Sequence, residues 1–373
     1  MRTMQGVGIV FVLLLILILN GCVEKTTQLN KSDTIKIGFI GPLTGGQAYV
    51  GQETKQGMDI ALQEINDSNI QVLYEDTQGQ QTNAVTAFQK LTQINNVPAI
   101  ITVISSDVLT IAPLAEEAHV IQLTPIASAS KIKDAGDYTF RIREKSEAHG
   151  KKLSNYAIKK GFKRIASLVV SSDNGVSYRD SFEKSFKELG GNIVFSEEYK
   201  KDTPDFRTEL LKIKGENPDA IFIAGFVRDM AEQIKEARQL GLSLPFIASP
   251  GIEDKQLFEI AGSSAEGVIF SAPAFNAEST EQGTMSFVKA HQQLTNSTRI
   301  SWLTANGYDA IKILAAVIQN CATDTACIKT GLYQIKNYPG VGGTITFDSD
   351  GEVEKTVILK TVQNGMFVQV ENN

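Results

Sequence analysis

The sequence predicts an α/β protein of two lobes, each a mainly parallel sheet flanked by helices. Three observations carry that expectation. Short runs rich in isoleucine and valine alternate with segments of helical period, which implies parallel strands covered on both faces. The alternation runs through two successive series, the second starting after "YTFRIREKSEAHG". At 373 residues the chain is also longer than one hydrophobic core usually serves. With 42 % hydrophobic and 21 % charged residues the composition is that of an ordinary globular protein. Its formal charge is −6, and no lysine/arginine block is dense enough to track a phosphate backbone, so nucleic acid is excluded as a partner.

The first residues read as a targeting segment. Arg2 precedes a thirteen-residue apolar run at 7–19, about the length of a signal-peptide core and short for a bilayer span. "LNGC" follows, with Gly21 before Cys22, and resembles a lipobox in which Cys22 takes a lipid; an uncleaved anchor helix is the other reading. Either way the body lies outside the cytoplasmic membrane. Residues 1–22 are therefore assigned to a lipoprotein signal and the polar stretch 23–33 to a tether. Cys321 and Cys327 in "CATDTAC" form a pair in an oxidising compartment, so a disulfide is expected. Two thiols do not make a metal site, and His119, His149 and His291 all lie elsewhere, so neither metal nor cofactor is expected.

The first series begins with "IKIGFIG" at 35–41 and a helix whose Met58, Ala61, Leu62 and Ile65 share one face. "IQVLYED", a helix around 81–94, "PAIITVI" and "VIQLTP" continue it. The second series is "RIASLVV" (164–170), a helix carrying Phe182, Phe186 and Leu189, "NIVFSEEY", a helix near 205–215, "DAIFIAGF", a helix near 228–240, "PFIAS" and "GVIFSAP". Two long helices follow, at about 280–294 and 302–320, and then alternating strands with "DSDG" as their hairpin turn. These are too few for a third domain and should complete the first two. Three segments read as crossings between lobes: near 141–147, near 270–275 and near 338–356.

Ligands of open parallel sheets bind beyond the carboxyl ends of strands, where helix N-termini expose N–H groups. "ISSD" is such an end. Ser105, Ser106 and Asp107 suit helix capping, and a helix start favours an anion. Pro113 would then loosen the first turn of that helix or delay its start. The next strand ends likewise, in "TPIASAS". Two adjacent ends bearing hydroxyls favour a carboxylate over a phosphate, since "GPLTGGQ" lacks a phosphate-loop lysine.

Five segments, "IGFIGPLTGGQAYVGQETKQGMDIALQEIN", "SSDVLTIAPLAEEAHVIQLTPIASAS", "GFVRDMAEQIKEARQLGL", "WLTANGYDAIKIL" and "GVGGTITFDSDGEVEK", together resemble the leucine/isoleucine/valine-binding proteins. These are the amino-acid branch of the type I periplasmic binding proteins that serve ABC importers. The resemblance covers almost all of 34–373 and rests on order and spacing. It implies the type I periplasmic-binding-protein fold, with lobe I at 34–143 plus 273–345 and lobe II at 144–272 plus 346–373. It also implies closure over a small solute and an ABC permease in the membrane as partner.

The family's carboxylate grip, carried over, falls on Ser105, Ile126 and Ser128, with Ser106 beside it and an aromatic at Tyr49. From the second lobe the family's two aromatics fall on Asn174, a departure, and on Phe226, a match; Leu303 would help set side-chain size. The acidic residue that holds the amino group falls on Pro250, which binds no ammonium. Glu253 and Asp254, three and four residues on, are the substitutes, or else serve only the start of the helix "KQLFEIA".

The resemblance therefore implies delivery of a carboxylate-bearing solute, a branched-chain or related amino acid. A non-amino carboxylate or a sensing role is the alternative. A serine hydrolase is disfavoured, because there is no G-x-S-x-G elbow and neither His149 nor His291 sits in a motif that identifies a base.

Overall fold

In the computed structural model, residues 34–370 are described apart from Ser68; the signal, Cys22 and tether assignments lie outside the described residues. Alternating apolar runs become strands because their β-branched side chains pack well on a pleated surface covered from both sides. β1 (Ile35–Gly41), β2 (Ile70–Asp76), β3 (Ala99–Thr102), β4 (Ile121–Thr124) and β5 (Thr139–Arg141) form an all-parallel sheet in the order 2-1-3-4-5. A second sheet has the order 14-13-10-9-8-6-7. Its parallel part is β6 (Arg164–Val170), β7 (Asn192–Tyr199), β8 (Ala220–Ala224), β9 (Phe246–Ala248) and β10 (Ile269–Pro273). β13 (Val357–Gln363) and β14 (Met366–Gln369) add to it antiparallel.

The helices between strands cover the sheets. In lobe I they are α1 (Ala48–Ile65), α2 (Gln81–Gln89), which widens into a π-helical turn (Lys90–Ile94), and α3 (Ser105–Ala118). The second sheet carries α4 (Ser146–Lys159), α5 (Asp173–Glu188), α6 (Arg207–Glu216), α7 (Val227–Gln239) and α8 (Gln256–Ala261). α9 (Gln282–Thr295), α10 (Trp302–Cys321) and α11 (Thr325–Tyr333) return to the first lobe. Phe287, Ile311, Leu314 and Leu332 share its core with Ile37 and Phe39. Cys321 and Cys327 are bonded, S–S 1.99 Å, between α10 and α11.

Two sequence expectations fail here. Pro113 neither loosens nor delays α3, which begins at Ser105 with Ile104 as its N-cap and no side-chain cap bond. Pro113 sits on the exposed face, so the carbonyl it leaves unpaired turns to water. "DSDG" does not join paired strands: β12 (Gly343–Ile345) pairs with β11 (Tyr338–Gly340), while β13 belongs to the second sheet. The tight hairpin is Asn364-Gly365 between β13 and β14, both residues at positive φ (52° and 70°) as a two-residue primed turn requires.

The chain passes between the sheets three times: after β5, after β10 and between β12 and β13. The first and third passages are bound together by a buried ion pair. Arg141, fully buried at the end of β5, donates from Nε (3.1 Å) and Nη2 to Oε2 of Glu352. Lys145 Nζ stands 3.4 Å from the same oxygen. Removing one partner of such a pair strands a buried charge, so Glu352→Ala is expected to cost about 3–5 kcal/mol in chemical denaturation. A loss below about 1 kcal/mol would show that the passages are held by other contacts.

Candidate functional site

Strand order reverses between β1 and β3 in the first sheet and between β6 and β8 in the second, which opens a crevice at the carboxyl end of each. The two crevices face one cavity. Its volume is about 50 Å³. The cleft is therefore narrow. Its lobe I wall is mostly apolar: Val50 from α1, Val103 and Ile104 after β3, and Trp302 and Leu303 at the start of α10. Phe226, Tyr178 and Gly225 form much of the opposite wall.

The polar groups on the lobe I side come from three successive strand ends. Ser105 is 3 % exposed, and its Oγ accepts from the backbone N–H of Ser128 (3.2 Å) and of Ala129 (3.3 Å). With the acceptor side occupied, its own O–H remains to be donated. Ile126 and Ala127 reach the cavity from the loop after β4. Arg143 follows β5 and is 3 % exposed. Its Nη1 donates to the Ile126 carbonyl and its Nη2 to the Tyr178 hydroxyl (2.8 Å), while the guanidinium lies 4.3 Å from the Trp302 ring centre.

The lobe II side contributes Asn174 near the start of α5, whose Nδ2 donates to Ser128 Oγ at 2.7 Å and so links the lobes across the cleft. A second link is Ser130 N–H to Ser177 Oγ at 3.1 Å. After β9 the chain makes a 3₁₀ turn, Pro250–Ile252, closed by Glu253 N–H donating to the Pro250 carbonyl (3.1 Å). Pro250 and Glu253 both line the cavity. Glu253 Oε1 accepts from Lys360 Nζ on β13 at 2.5 Å, whereas its Oε2 is sealed from solvent without a partner. Burial pushes the Glu253 carboxyl up, against the pull of Lys360.

Of the residues singled out from sequence, Tyr49, Ser105, Ile126, Asn174, Phe226, Pro250, Leu303 and Glu253 stand on this wall. Ser128 lies just behind it, fully buried. Two are placed elsewhere. Ser106, one helical step from Ser105, turns to a neighbouring cavity at the cleft mouth with Gln47, Ser172 and Lys201. Asp254 is buried and accepts from the Gln256 N–H (2.8 Å), the structural role open to it at the start of α8.

Sequence reasoning missed Arg143, Tyr178 and Trp302. Arg143 was within reach: "FRIRE" closes a strand of the same sheet, and every strand end there points at the crevice. Among the described residues no group of three or more His, Cys, Asp or Glu is placed to hold a metal ion.

Comparison with known proteins agrees with this architecture. A family model described as periplasmic binding protein matches residues 34–369. The chain is 24 % identical over 348 residues to the Leu/Ile/Val-binding protein of Citrobacter freundii, covering 90 % of this chain and 93 % of that one. It is similar to the crystal structure of a leucine-binding protein from Thermotoga maritima, with 28 % identity, TM-score 0.86, and 91 % and 98 % of the two chains covered. The isoleucine complex of a branched-chain amino-acid transporter substrate-binding protein from Streptococcus pneumoniae gives 25 % identity and TM-score 0.83, covering 91 % and 100 %.

Burial raises several carboxyls around the cleft and hinge: Glu53, up to about 7 despite the hydrogen bond from Ser301, and Asp107, Asp229 and Asp309, each to about 6. In the unfolded chain these groups release their protons at lower pH. Their contribution to stability is therefore present below about pH 4.5 and lost as pH rises through 6 and 7. Asp137, held low by Lys329, and Glu198, held low by Ser171, act oppositely and lose their contribution in strong acid. Calorimetric melting should give a maximum Tm near pH 5 and a decline towards pH 8, with Glu53→Gln flattening the decline. A Tm that rises from pH 5 to 8 would contradict this.

Proposed function

Because the chain belongs to the periplasmic binding protein family, in the branch of the leucine/isoleucine/valine-binding proteins, we propose that it captures a small apolar solute bearing a carboxylate, of the branched-chain amino-acid class, and hands it to an ABC permease. It is a substrate-binding protein that works with such transporters outside the cytoplasm, not an enzyme. In this reading Cys22 carries a lipid that anchors the protein to the membrane, and residues 23–33 are the tether.

The observation that carries the reading is Ser105: a buried hydroxyl at a strand end, its oxygen already bonded by two amides, in a cleft lined largely by apolar and aromatic side chains with few polar groups. A carboxylate there would accept from the Ser105 hydroxyl and from the Ile126 N–H, since the Ala127 and Ser128 amides already donate to Thr124 and Ser105, with Arg143 behind as counter-charge. The branched side chain would lie against Phe226, Trp302 and Leu303. Closure must be driven by contacts made only when the lobes meet, such as the Asn174–Ser128 bond. A shift from 1:99 to 99:1 in favour of the closed form needs about 5.5 kcal/mol of differential binding. A second reading, a carboxylate without an amino group, is favoured by Pro250, whose side chain offers an ammonium nothing.

Calorimetric titration with leucine, isoleucine, valine and their 2-oxo acids tests the reading, with Ser105→Ala/Ser128→Ala as the variant. A hydrogen bond to a charged group contributes about 1.5–3 kcal/mol, which Ser105→Ala removes, and Ser128→Ala takes away the acceptor of the closing bond from Asn174, so the double variant should lose about hundredfold or more in affinity for whichever solute binds. Its circular dichroism should be unchanged. Equal affinity in a folded double variant removes the carboxylate from this end of the cleft.

A further inference from the structure

The chain is acidic overall, with a formal charge of −6, yet residues 148–172 hold six basic side chains and no acidic one. They fall on α4 and the turn that leads into β6. α4 buries Gly150, Leu153, Ser154 and Ala157, so its other side carries Lys151 and Lys159 in one row and Lys152, Tyr156 and Lys160 in the next. Lys163 continues this face past the helix end. Among the described residues none of these five lysines has an ion pair or a side-chain hydrogen bond. Lys160 Nζ lies instead 5.6 Å from the Tyr156 ring centre. The sixth cation, Arg164, is spent on the carbonyls of Glu216 and Asn217. The neighbouring Asp219 carboxylate accepts the backbone N–H groups of Lys163 and Arg164, not their side chains. A helix C-terminus favours cations, which accounts for Lys159 and Lys160 but not for Lys151 and Lys152 about two turns earlier.

We propose that this lysine face of lobe II docks on the anionic phospholipid headgroups of the membrane surface and lays the tethered molecule along it. The proposal rests on the membrane-tethered reading above. The carboxyl ends of the parallel strands face the cleft, so β1 and β6 both start on the sides away from it, at opposite ends of the pair of lobes. The tether joins at the start of β1, and the lysine face ends at the start of β6. Residues 23–33 extend to at most about 40 Å, which keeps lobe I near the membrane and leaves lobe II free to swing. A cationic face on the far lobe supplies the second point of attachment, and the tether raises its effective concentration at the surface. Lysine suits this surface as a point charge on a flexible stem, with no need of the bidentate geometry that selects arginine. Tyr156, an apolar ring with a polar tip, suits the boundary between lipid and water. A chain of net negative charge has no general attraction to an anionic surface, so such binding is local to this face.

The test is co-sedimentation of Thr34–Asn373, a compact unit by itself, with vesicles of phosphatidylcholine alone and of phosphatidylcholine with about 30 % phosphatidylglycerol, at about 0.1 M and about 0.5 M salt. The native protein should bind the phosphatidylglycerol vesicles about hundredfold more strongly than phosphatidylcholine at the lower salt and lose most of that preference at the higher. Lys151→Gln/Lys152→Gln should lower the binding about tenfold, and Lys159→Glu/Lys160→Glu/Lys163→Glu should reduce it to the level on phosphatidylcholine, each at unchanged circular dichroism. Arginine at the same three positions should restore it, since only the charge is read. Absence of a preference for phosphatidylglycerol overturns the proposal, as does a preference that survives the higher salt or the charge reversal. Capture of this face by the permease in detergent, with none by the vesicles, assigns it to an acidic protein surface and likewise overturns the lipid assignment. The assay contains neither solute nor lipid anchor, so its failure leaves the solute-binding reading standing; the anchoring reading is checked separately, by the lipid mass on Cys22 of membrane-extracted protein.

Discussion

The Arg141–Glu352 pair is the constraint on which the cleft depends. Taking both charges out of water costs several kcal/mol per ion, and only near-complete hydrogen bonding offsets it. Here the guanidinium spends Nε and Nη2 on Glu352 and Nη1 on the Ala129 carbonyl (2.9 Å). The amide of that same Ala129 donates to Ser105. Two residues further on, Arg143 holds the Ile126 carbonyl. Two arginines of one passage between lobes thus pin the 126–129 loop from behind, and the loop in turn fixes the serine at the end of β3. Hinge and cleft wall are one hydrogen-bonded unit.

A second constraint sets the apolar wall. α1 and α10 approach so closely that a Cβ at Gly57 would lie 1.9 Å from the Thr304 carbonyl oxygen, and one at Gly307 2.2 Å from that of Thr54. With no side chain at either position the helices seat backbone to backbone. Tyr49 and Val50 at the start of α1, and Trp302 and Leu303 at the start of α10, are thereby brought to the cleft. Tyr49 and Phe226 each pack against the cores of both lobes, so apolar contact accompanies the polar links across the cleft.

Much of this was legible in the chain because central parallel strands such as β1 and β6 are near-continuous apolar runs, and the partly exposed edge strands β2 and β7 still carry β-branched and aromatic residues among their polar ones. "IKIGFIG", "IQVLYED", "RIASLVV" and "NIVFSEEY" coincide with β1, β2, β6 and β7. The errors arise where local signals compete. "DSDG" has turn chemistry, but the strands around it find partners in different sheets; "NG", the stronger hairpin signal, lay unread between β13 and β14. Ser105 and Ser106 look like caps, yet the helix takes Ile104 for that position and frees the serine hydroxyl for the cleft.

The sequence by itself determined the alternation of strands and helices and the two-lobe class, which follow from periodicity, and the serine at the end of β3, which follows from the rule that strand ends in parallel sheets face the crevice; Tyr49, Ile126, Asn174, Phe226, Pro250 and Leu303 came from the family resemblance. Tertiary structure alone decided which charged groups meet there. Arg141 and Glu352 are separated by 211 positions and Glu253 and Lys360 by 107, and nothing local in either segment distinguishes a buried partner from a solvated surface charge. Burial makes that distinction, since a charge removed from water must find its counterpart wherever the fold brings one.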